Sequence, residues 1–369
     1  MSLRMTKALH AALSALTLIW STACTSAGVA PQATGPAPTY VRTVAQKMRV
    51  PWGVGFLPNG AALVTERTTG RIYRVKDSSP RRYVGTIRQT APRGEGGLLG
   101  LAISPTYDVD RLIYVYVSTT RDNRVLAMTY RAGRLGPRRV VISGIPGAPT
   151  HDGGRIAFGP DGFLYVTTGD ARQDPNPSQN LNSLGGKILR ITKTGQPAPG
   201  NPFDNSPIWS FGHRNVQGLA WDDNGQLWAS EFGNDEMDEV NRIEPGGNYG
   251  WPICEGTKVF GTTTDCASEH PDFVAPTLTF PCDDASPSGL AYLDGALWMG
   301  TLKGRAVVKM TVSPDSTSAT TAGEYFAGRW GRLRTVAVTP EGQLWVTTSN
   351  RDGRGEPVRT DDRVLLVRP

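Results

Sequence analysis

The 369-residue chain contains only four histidines and four cysteines, and only 20% of its residues are charged. No CxxC pair or zinc-type histidine spacing accompanies the cysteines, which argues against a zinc site and against an attached c-type haem. No GxGxxG segment opens a βαβ unit, so nicotinamide use is not indicated. There is also no basic run with interleaved aromatic residues, so no nucleic-acid partner is expected.

Turn-forming residues, in contrast, are abundant. The chain has 43 Gly, 28 Pro and 9 Trp, and few stretches beyond the N-terminus show helical periodicity. Its length would allow two average domains or one large all-β domain. The composition favours a single turn-rich β domain.

The N-terminus resembles an export signal. Arg4 and Lys7 precede an apolar stretch that is too short to span a bilayer. We predict a signal peptide over residues 1–23, followed by Cys24, which small residues precede as in bacterial lipoprotein signals. Cys24 is expected to carry lipid, with ordinary cleavage nearby as the alternative. Residues 24–42 would form a flexible tether that holds the protein at the periplasmic or extracellular face of a membrane.

Export bears on the cysteines and on the net charge. An oxidising compartment allows one disulfide and one spare thiol among Cys254, Cys266 and Cys282. The short Cys254–Cys266 loop is the favoured pairing, although the sequence leaves the other pairings open. Removing residues 1–23 changes the net charge from +6 to +4, which is too mild to identify a partner.

An internal repeat is the most informative feature of the sequence. Each copy has an apolar strand, a turn rich in Gly, Asp or Asn, and a second strand. The six copies are GFLPNGAALVTE (55–66), AISPTYDVDRLIYVYVS (102–118), AFGPDGFLYVTTGD (157–170), AWDDNGQLWASEFG (220–233), AYLDGALWMGTLKG (291–304) and AVTPEGQLWVTTSN (337–350).

A further segment of basic and aliphatic residues follows each hairpin and is expected to form an outer strand. These segments are RIYRVK (71–76), RVLAMTY (124–130), KILRIT (187–192), EVNRIE (239–244), AVVKMTV (306–312) and RVLLV (363–367). The copies start roughly 45 to 70 residues apart, which is typical of propeller blades with unequal insertions. We therefore predict an all-β fold over residues 43–369, a six-bladed β-propeller with four-stranded antiparallel blades. A large β-sandwich is the alternative.

Loops between the blades of a propeller converge at one end of its axis, and polar residues are concentrated in these loops. His151 directly precedes the predicted inner strand Arg155–Phe158. A neutral histidine can accept a proton from an alcohol, particularly beside a carboxylate such as Asp170. A purely structural histidine remains the alternative.

The predicted mouth also contains several cations. Arg214, Lys303, Arg332 and Arg334 would together attract a ligand that carries several negative charges. The acidic segment SEFGNDEMDEVN (230–241) offers the oxygen ligands that calcium prefers, or is merely a solvated acidic loop.

These motifs, in this order, resemble the soluble dehydrogenases that use pyrroloquinoline quinone (PQQ) to oxidise sugars, including the aldose sugar dehydrogenases and the glucose/sorbosone dehydrogenase group. The resemblance extends from about Val44 to Val367 and is strongest in GEGGLLGLA, HDGGRIAFGPDGFLYVTTGD, SFGHRNVQGLAW, NYGWP and TSNRDGRG. It implies a PQQ- and calcium-dependent enzyme that oxidises aldoses at C1 to lactones.

The resemblance also implies roles for individual residues. His151 matches the general base, Asp170 its carboxylate partner, and Arg214 the cation that stabilises the quinone oxygen while hydride passes to the quinone. The implied cofactor contacts are Glu95, Asn215, Tyr249, Lys303, Arg332 and Arg334. The implied calcium ligands are Glu231, Gly233, Asn234 and Asn241.

Two departures from the family pattern affect these expectations. Glu95 stands where some members have glutamine, and Asn234 stands where the glucose-specialised branch has proline. The long insertions of that branch are missing from the sequence, so a broad range of aldoses is the expected substrate class. Since the sequence has no haem attachment site, electrons would pass to an external acceptor. The alternatives are a non-catalytic propeller that binds carbohydrate or protein and a calcium-dependent propeller lactonase.

Overall fold

The computed structural model describes residues 37–369. The predicted signal peptide, the lipid-bearing Cys24 and most of the predicted tether lie outside the described residues. No helix within residues 37–369 is both long and apolar enough to cross a membrane.

Six four-stranded antiparallel sheets confirm the predicted propeller. The first four blades, each given from its innermost to its outermost strand, are β2 (Pro51–Phe56), β3 (Ala62–Glu66), β4 (Arg71–Val75) and β5 (Arg82–Thr86); β6 (Leu98–Ile103), β7 (Leu112–Ser118), β8 (Asn123–Arg131) and β9 (Arg134–Ile145); β10 (Ile156–Phe158), β11 (Leu164–Thr167), β12 (Lys187–Ile191) and β13 (Ile208–Phe211); and β14 (Val216–Trp221), β15 (Leu227–Glu231), β16 (Met237–Ile243) and β19 (Leu278–Pro281). The fifth blade is β20 (Pro287–Leu293), β21 (Ala296–Thr301), β22 (Val307–Val312) and β23 (Ala319–Tyr325).

The sixth blade closes the ring with strands from both ends of the described chain. It contains β24 (Leu333–Val338), β25 (Leu344–Thr348), β26 (Val364–Arg368) and, outermost, β1 (Thr39–Ala45). Residues 39–42, which the sequence analysis gave to the tether, therefore belong to the propeller. Their backbone pairs with β26, with Thr39 opposite Arg368 and Tyr40 opposite Val367.

The hydrophobic core lies between neighbouring blades. Trp228, Trp298 and Trp345 recur at one hairpin position and are buried, as expected of residues that fill the space between stacked sheets. Trp228, for example, belongs to a cluster with Leu297 and Met299 of the next blade.

Blade 4 carries a long insertion between β16 and β19. It contains the small hairpin of β17 (Cys254–Glu255) and β18 (Lys258–Val259), followed by the short helix α2 (Cys266–Glu269). The other short helix, α1 (Tyr107–Asp110), lies in blade 2. The predicted disulfide joins Cys254 to Cys266, and Cys282 is a free, buried thiol.

Candidate active site

Loops from all the blades except the first line a pocket of about 220 Å³ at one mouth of the propeller. Residues that the sequence analysis had singled out share this pocket: Glu95, His151, Arg214, Asn215, Gly233, Asn234, Lys303 and Arg332. Arg172 and Arg354 also line it. Because the cations outnumber the carboxylates, the pocket favours an anionic ligand.

His151 is held in an uncommon backbone conformation. Its φ is 61°, in the left-handed region that few non-glycine residues adopt. The following turn packs closely against the next hairpin, and a Cβ atom at Gly169 would collide with the His151 carbonyl oxygen. The glycine of the TTGD segment is therefore required so that His151 can lie beside Asp170.

The Asp170 carboxylate accepts a hydrogen bond at 2.7 Å from His151 Nδ1, which leaves His151 Nε2 as the ring nitrogen available to accept a proton. Asp170 Oδ1 also accepts from the backbone N–H of Arg172 at 2.9 Å. Its Oδ2 accepts from Asn176 Nδ2 at 2.8 Å and from Trp251 Nε1 at 2.7 Å. Burial disfavours the charged form of Asp170, but these donors outweigh it and hold its pKa below the ordinary value. An ionised Asp170 can thus orient His151 and stabilise its protonated form.

Arg214 and Asn215 present donors that the described protein does not satisfy. Arg214 Nε and Asn215 Nδ2 are buried and have no hydrogen-bond partner among residues 37–369. Arg214 Nη2 does donate to Asn234 Oδ1 at 2.9 Å. Because buried donors are normally paired, these two are expected to meet acceptor atoms of a ligand.

Glu95 links the base to the opposite side of the mouth. One carboxylate oxygen accepts from the His151 backbone N–H at 3.0 Å, and the other pairs with Arg354 at 2.9 Å. Burial would raise the pKa of Glu95, yet the His151 N–H and the Arg354 guanidinium lower it overall. The negative charge of Glu95 is therefore balanced before any anionic ligand binds.

The predicted cations occupy two levels of the propeller. Lys303 is at the surface of the pocket, where it pairs with the exposed Asp283 at 2.7 Å. Arg332 and Arg334 are buried around Asp352, with Arg332 Nε at 2.9 Å and Arg334 Nη2 at 3.6 Å from its Oδ2. Arg334 does not reach the mouth pocket, and burial lowers its pKa to about 9.

Arg334 lies instead in a second pocket of about 160 Å³, which shares Glu95, Phe232, Leu302 and Arg354 with the mouth pocket. Residues of the innermost strands line it, including Trp52 of β2 and Gln217 of β14. We identify it as the central channel of the propeller.

Tyr249 does not lie where the resemblance implied. Its ring stacks on His213, with the ring centroids 4.5 Å apart, and its hydroxyl donates to the Arg242 carbonyl at 2.7 Å. It does not line the mouth pocket. Tyr249 therefore supports the loop of Arg214 from behind, because His213 precedes Arg214 in the chain.

The four expected calcium ligands are not brought together either. Gly233 and Asn234 line the mouth pocket, whereas Glu231 and Asn241 do not. Both oxygens of Glu231 are used inside the blade, by His213 Nδ1 at 2.8 Å and by backbone N–H groups that include that of Asn215 at 3.0 Å. Asn241 is buried, and its amide nitrogen donates to Glu239 at 2.9 Å. No group of three or more His, Cys, Asp or Glu side chains within residues 37–369 is placed to hold a metal ion.

Several residues of the site were not identified from the sequence. Asp352, from the TSNRDGRG motif, holds the buried arginines. Asp238 lines the mouth pocket, accepts from the Gly233 N–H at 2.9 Å, and has a pKa that burial raises to about 6. Trp251 reaches Asp170 across 81 residues of sequence. Asp352 and Trp251 lie in motifs that the sequence analysis quoted, but local spacing does not indicate which side chain a long-range partner meets.

Comparison with known proteins agrees with this geometry. The family model for glucose/sorbosone dehydrogenases matches residues 48–365. The solved structure of a PQQ-bound aldose sugar dehydrogenase from Streptomyces coelicolor is 44% identical, with a TM-score of 0.85, over 92% of this chain and 99% of that one.

Two curated proteins show similar relationships. The aldose sugar dehydrogenase YliI of Escherichia coli is 29% identical over 86% of this chain and 92% of its own length. Quinoprotein glucose dehydrogenase B of Acinetobacter calcoaceticus is 34% identical over 56% of this chain and 50% of its own length. With the family model covering nearly the whole propeller, this chain belongs to the glucose/sorbosone dehydrogenase family.

Proposed function

We propose that the protein is a PQQ-dependent dehydrogenase that oxidises aldose sugars at C1 to lactones and passes the electrons to an external acceptor. The observation that carries the proposal is the pocket itself, in which a histidine–aspartate pair and unsatisfied cationic and amide donors face one space. Family membership and the PQQ-bound relative support the cofactor and the reaction class.

The residues of the pocket fit the quinone. When bound, PQQ supplies a two-electron acceptor together with several carboxylate and carbonyl oxygens. Arg214 Nε and Asn215 Nδ2 are donors without partners in the described protein, and Lys303 and Arg332 add positive charge beside them. These four residues would hold the cofactor by charge-assisted hydrogen bonds.

Calcium is the less complete part of the proposal. The protein ligands would come from the segment of Gly233 and Asn234, with the carboxylate of Asp238 nearby. Glu231 and Asn241 would act only by shaping the blade behind that segment, because their side chains are engaged elsewhere. Backbone carbonyl oxygens and carboxylates are suitable donors for calcium.

The protein's own part in the chemistry is proton transfer and positioning. His151 Nε2 would accept the proton of the sugar's C1 hydroxyl, while Asp170 fixes the tautomer in which Nδ1 donates. Arg214 would stabilise negative charge that develops on an oxygen in the pocket. His151 is almost completely buried, which limits the access of water to the base.

The His151→Ala variant tests the assignment of the base. We expect kcat to fall by about 100-fold or more because general-base catalysis is lost, while quinone affinity changes little. Apo-protein would be mixed with PQQ and calcium, and both dye reduction and the sugar-dependent bleaching of the quinone absorbance would be followed with a panel of aldoses. The exposed Asp204→Asn variant serves as the matched control.

The same experiment separates the alternatives. A non-catalytic propeller would show no sugar-dependent dye reduction, and a lactonase would hydrolyse lactones with metal but without quinone. An equal loss of quinone binding and turnover in His151→Ala would mean that His151 is structural.

We also propose that the protein is exported and tethered to a membrane through Cys24. The sequence of residues 1–24 supports this proposal.

A further inference from the structure

Trp251 contacts both catalytic groups of the site without lining the mouth pocket. Its indole N–H donates to Asp170 Oδ2 at 2.7 Å. The face of its ring lies against the Arg214 guanidinium, 5.3 Å from the ring centroid. Trp251 is absent from the pocket wall, so it touches neither the space for the sugar nor the space for the quinone.

The backbone and ring of Trp251 are fixed from several directions. Its N–H donates to the Gly212 carbonyl at 2.9 Å, and its carbonyl accepts from Gln179 Nε2 at 2.8 Å. Phe260, on the disulfide-closed segment, packs edge-on against the indole with centroids 5.3 Å apart. An indole held in this way has little freedom to leave Asp170.

The other side-chain donor to the same oxygen comes from a different loop. Asn176 lies in the segment 171–186, which the buried Lys187 secures by donating to the carbonyls of Pro177, Ser178 and Gly185 at 2.9, 2.9 and 2.6 Å. Two independently supported loops thus place neutral donors on Asp170 Oδ2, while Oδ1 faces His151. This arrangement leaves the carboxylate one orientation in which all of its acceptor positions are used.

We propose that Trp251 is a positioning residue that holds the Asp170 carboxylate in line with His151 and places Arg214 at the same time. The proposal rests on the proposed role of His151 as the base. An indole suits this task because it combines a single fixed donor with a large flat face for a guanidinium.

The Trp251→Phe variant separates the two contacts. Phenylalanine keeps a ring beside Arg214 but removes the N–H donor to Asp170. We expect kcat to fall by about 10-fold or more, because small displacements of a base are costly, while KM and the quinone dissociation constant change by less than about threefold. Trp209→Phe is the matched control, since the Trp209 indole N–H is buried without a partner in the described structure and its loss should leave kcat unchanged.

A double-mutant cycle with Asp170→Asn tests whether Trp251 acts through Asp170. If it does, Trp251→Phe should lower kcat strongly in the wild-type background and by less than about twofold in Asp170→Asn. Multiplicative losses in the two backgrounds, or parallel losses of kcat and quinone affinity in Trp251→Phe, would show that the residue only supports the fold.

Asn176→Ala provides a second route if Trp251→Phe fails to fold. Removing this donor from the same oxygen should give the same signature, a loss in kcat with unchanged quinone binding. Unchanged turnover in Asn176→Ala and in a folded Trp251→Phe would overturn the inference. If Asp170→Asn and His151→Ala were themselves fully active, the proposed function of the dyad would fail instead.

Discussion

Asp152 follows the proposed base directly in the chain, yet its carboxylate lines the central channel. Its Oδ1 accepts from Asn123 Nδ2 at 2.9 Å, while Oδ2 is buried without a partner among residues 37–369. Burial raises the pKa of Asp152 to about 6. The folded protein therefore binds a proton here at a pH where the unfolded chain has released it.

This difference makes Asp152→Asn a test at the scale of one residue. Between about pH 4 and pH 6 the folded state binds more protons at Asp152 than the unfolded state, so this group's contribution to stability falls as the pH rises. Replacing it with asparagine should raise the free energy of unfolding of the apo-protein at pH 7 by roughly 2 kcal/mol, with no gain below about pH 4. Urea unfolding at the two pH values measures the effect.

The exposed Asp204→Asn variant provides the comparison for Asp152→Asn, because no desolvation has to be relieved at that position. A gain in stability that did not depend on pH would contradict the assigned cause.

At the scale of elements, the innermost three strands of each blade follow the sequence pattern and the outermost strands do not. The repeats predicted the hairpins and the third strands, because those strands alternate or are wholly buried; β3 and β12, for instance, are buried throughout. The outermost strands β5 and β9 are mostly exposed, so no apolar alternation marks them in the sequence. For the same reason β1 was assigned to the tether.

β1 is the element whose removal should have the largest effect on stability. Without it, β26 becomes an open edge and the packing of Val41, Val44 and Ala45 is lost. A fragment of residues 46–369 is expected to unfold about 10 °C or more below a fragment of residues 37–369, and to aggregate more readily.

Thermal unfolding followed by circular dichroism compares the two fragments, and the longer one serves as the control because it keeps every described strand. Equal unfolding temperatures would mean that pairing of β1 with β26 does not hold the ring closed.

At the scale of the whole molecule, the mouth pocket is assembled by five blades, and the proposed electron acceptor must approach that end. A membrane tether would restrict how the propeller presents its mouth to an acceptor, and β1 lies only 15 residues after Cys24. The chain between them is rich in Thr, Ser, Ala, Gly and Pro and can extend by tens of ångströms.

The Cys24→Ala variant tests the proposed tether. It keeps the export signal and removes the lipid acceptor, so the protein should move from the membrane fraction to the soluble exported fraction while its dye-linked activity remains. Fractionation followed by immunoblotting measures the distribution. A wild-type protein already found only in the soluble fraction would contradict lipid attachment.

The sequence by itself determined the fold and the general position of the site. Strand alternation and tight turns are local properties, so six repeats were sufficient to predict six blades, and the repeat register predicted that His151 and Arg214 would reach one mouth. The short Cys254–Cys266 loop was likewise enough to favour the disulfide that forms.

Only the tertiary structure decided which side chains meet. Glu231 and Tyr249 lie in motifs that indicated ligand contact, but they turn toward His213 inside the blade. Trp251 reaches Asp170, and β1 reaches β26, across separations for which no local pattern exists. The physical reason is that backbone alternation specifies the face on which a side chain emerges, whereas its partner depends on how blades and loops from distant parts of the chain pack together.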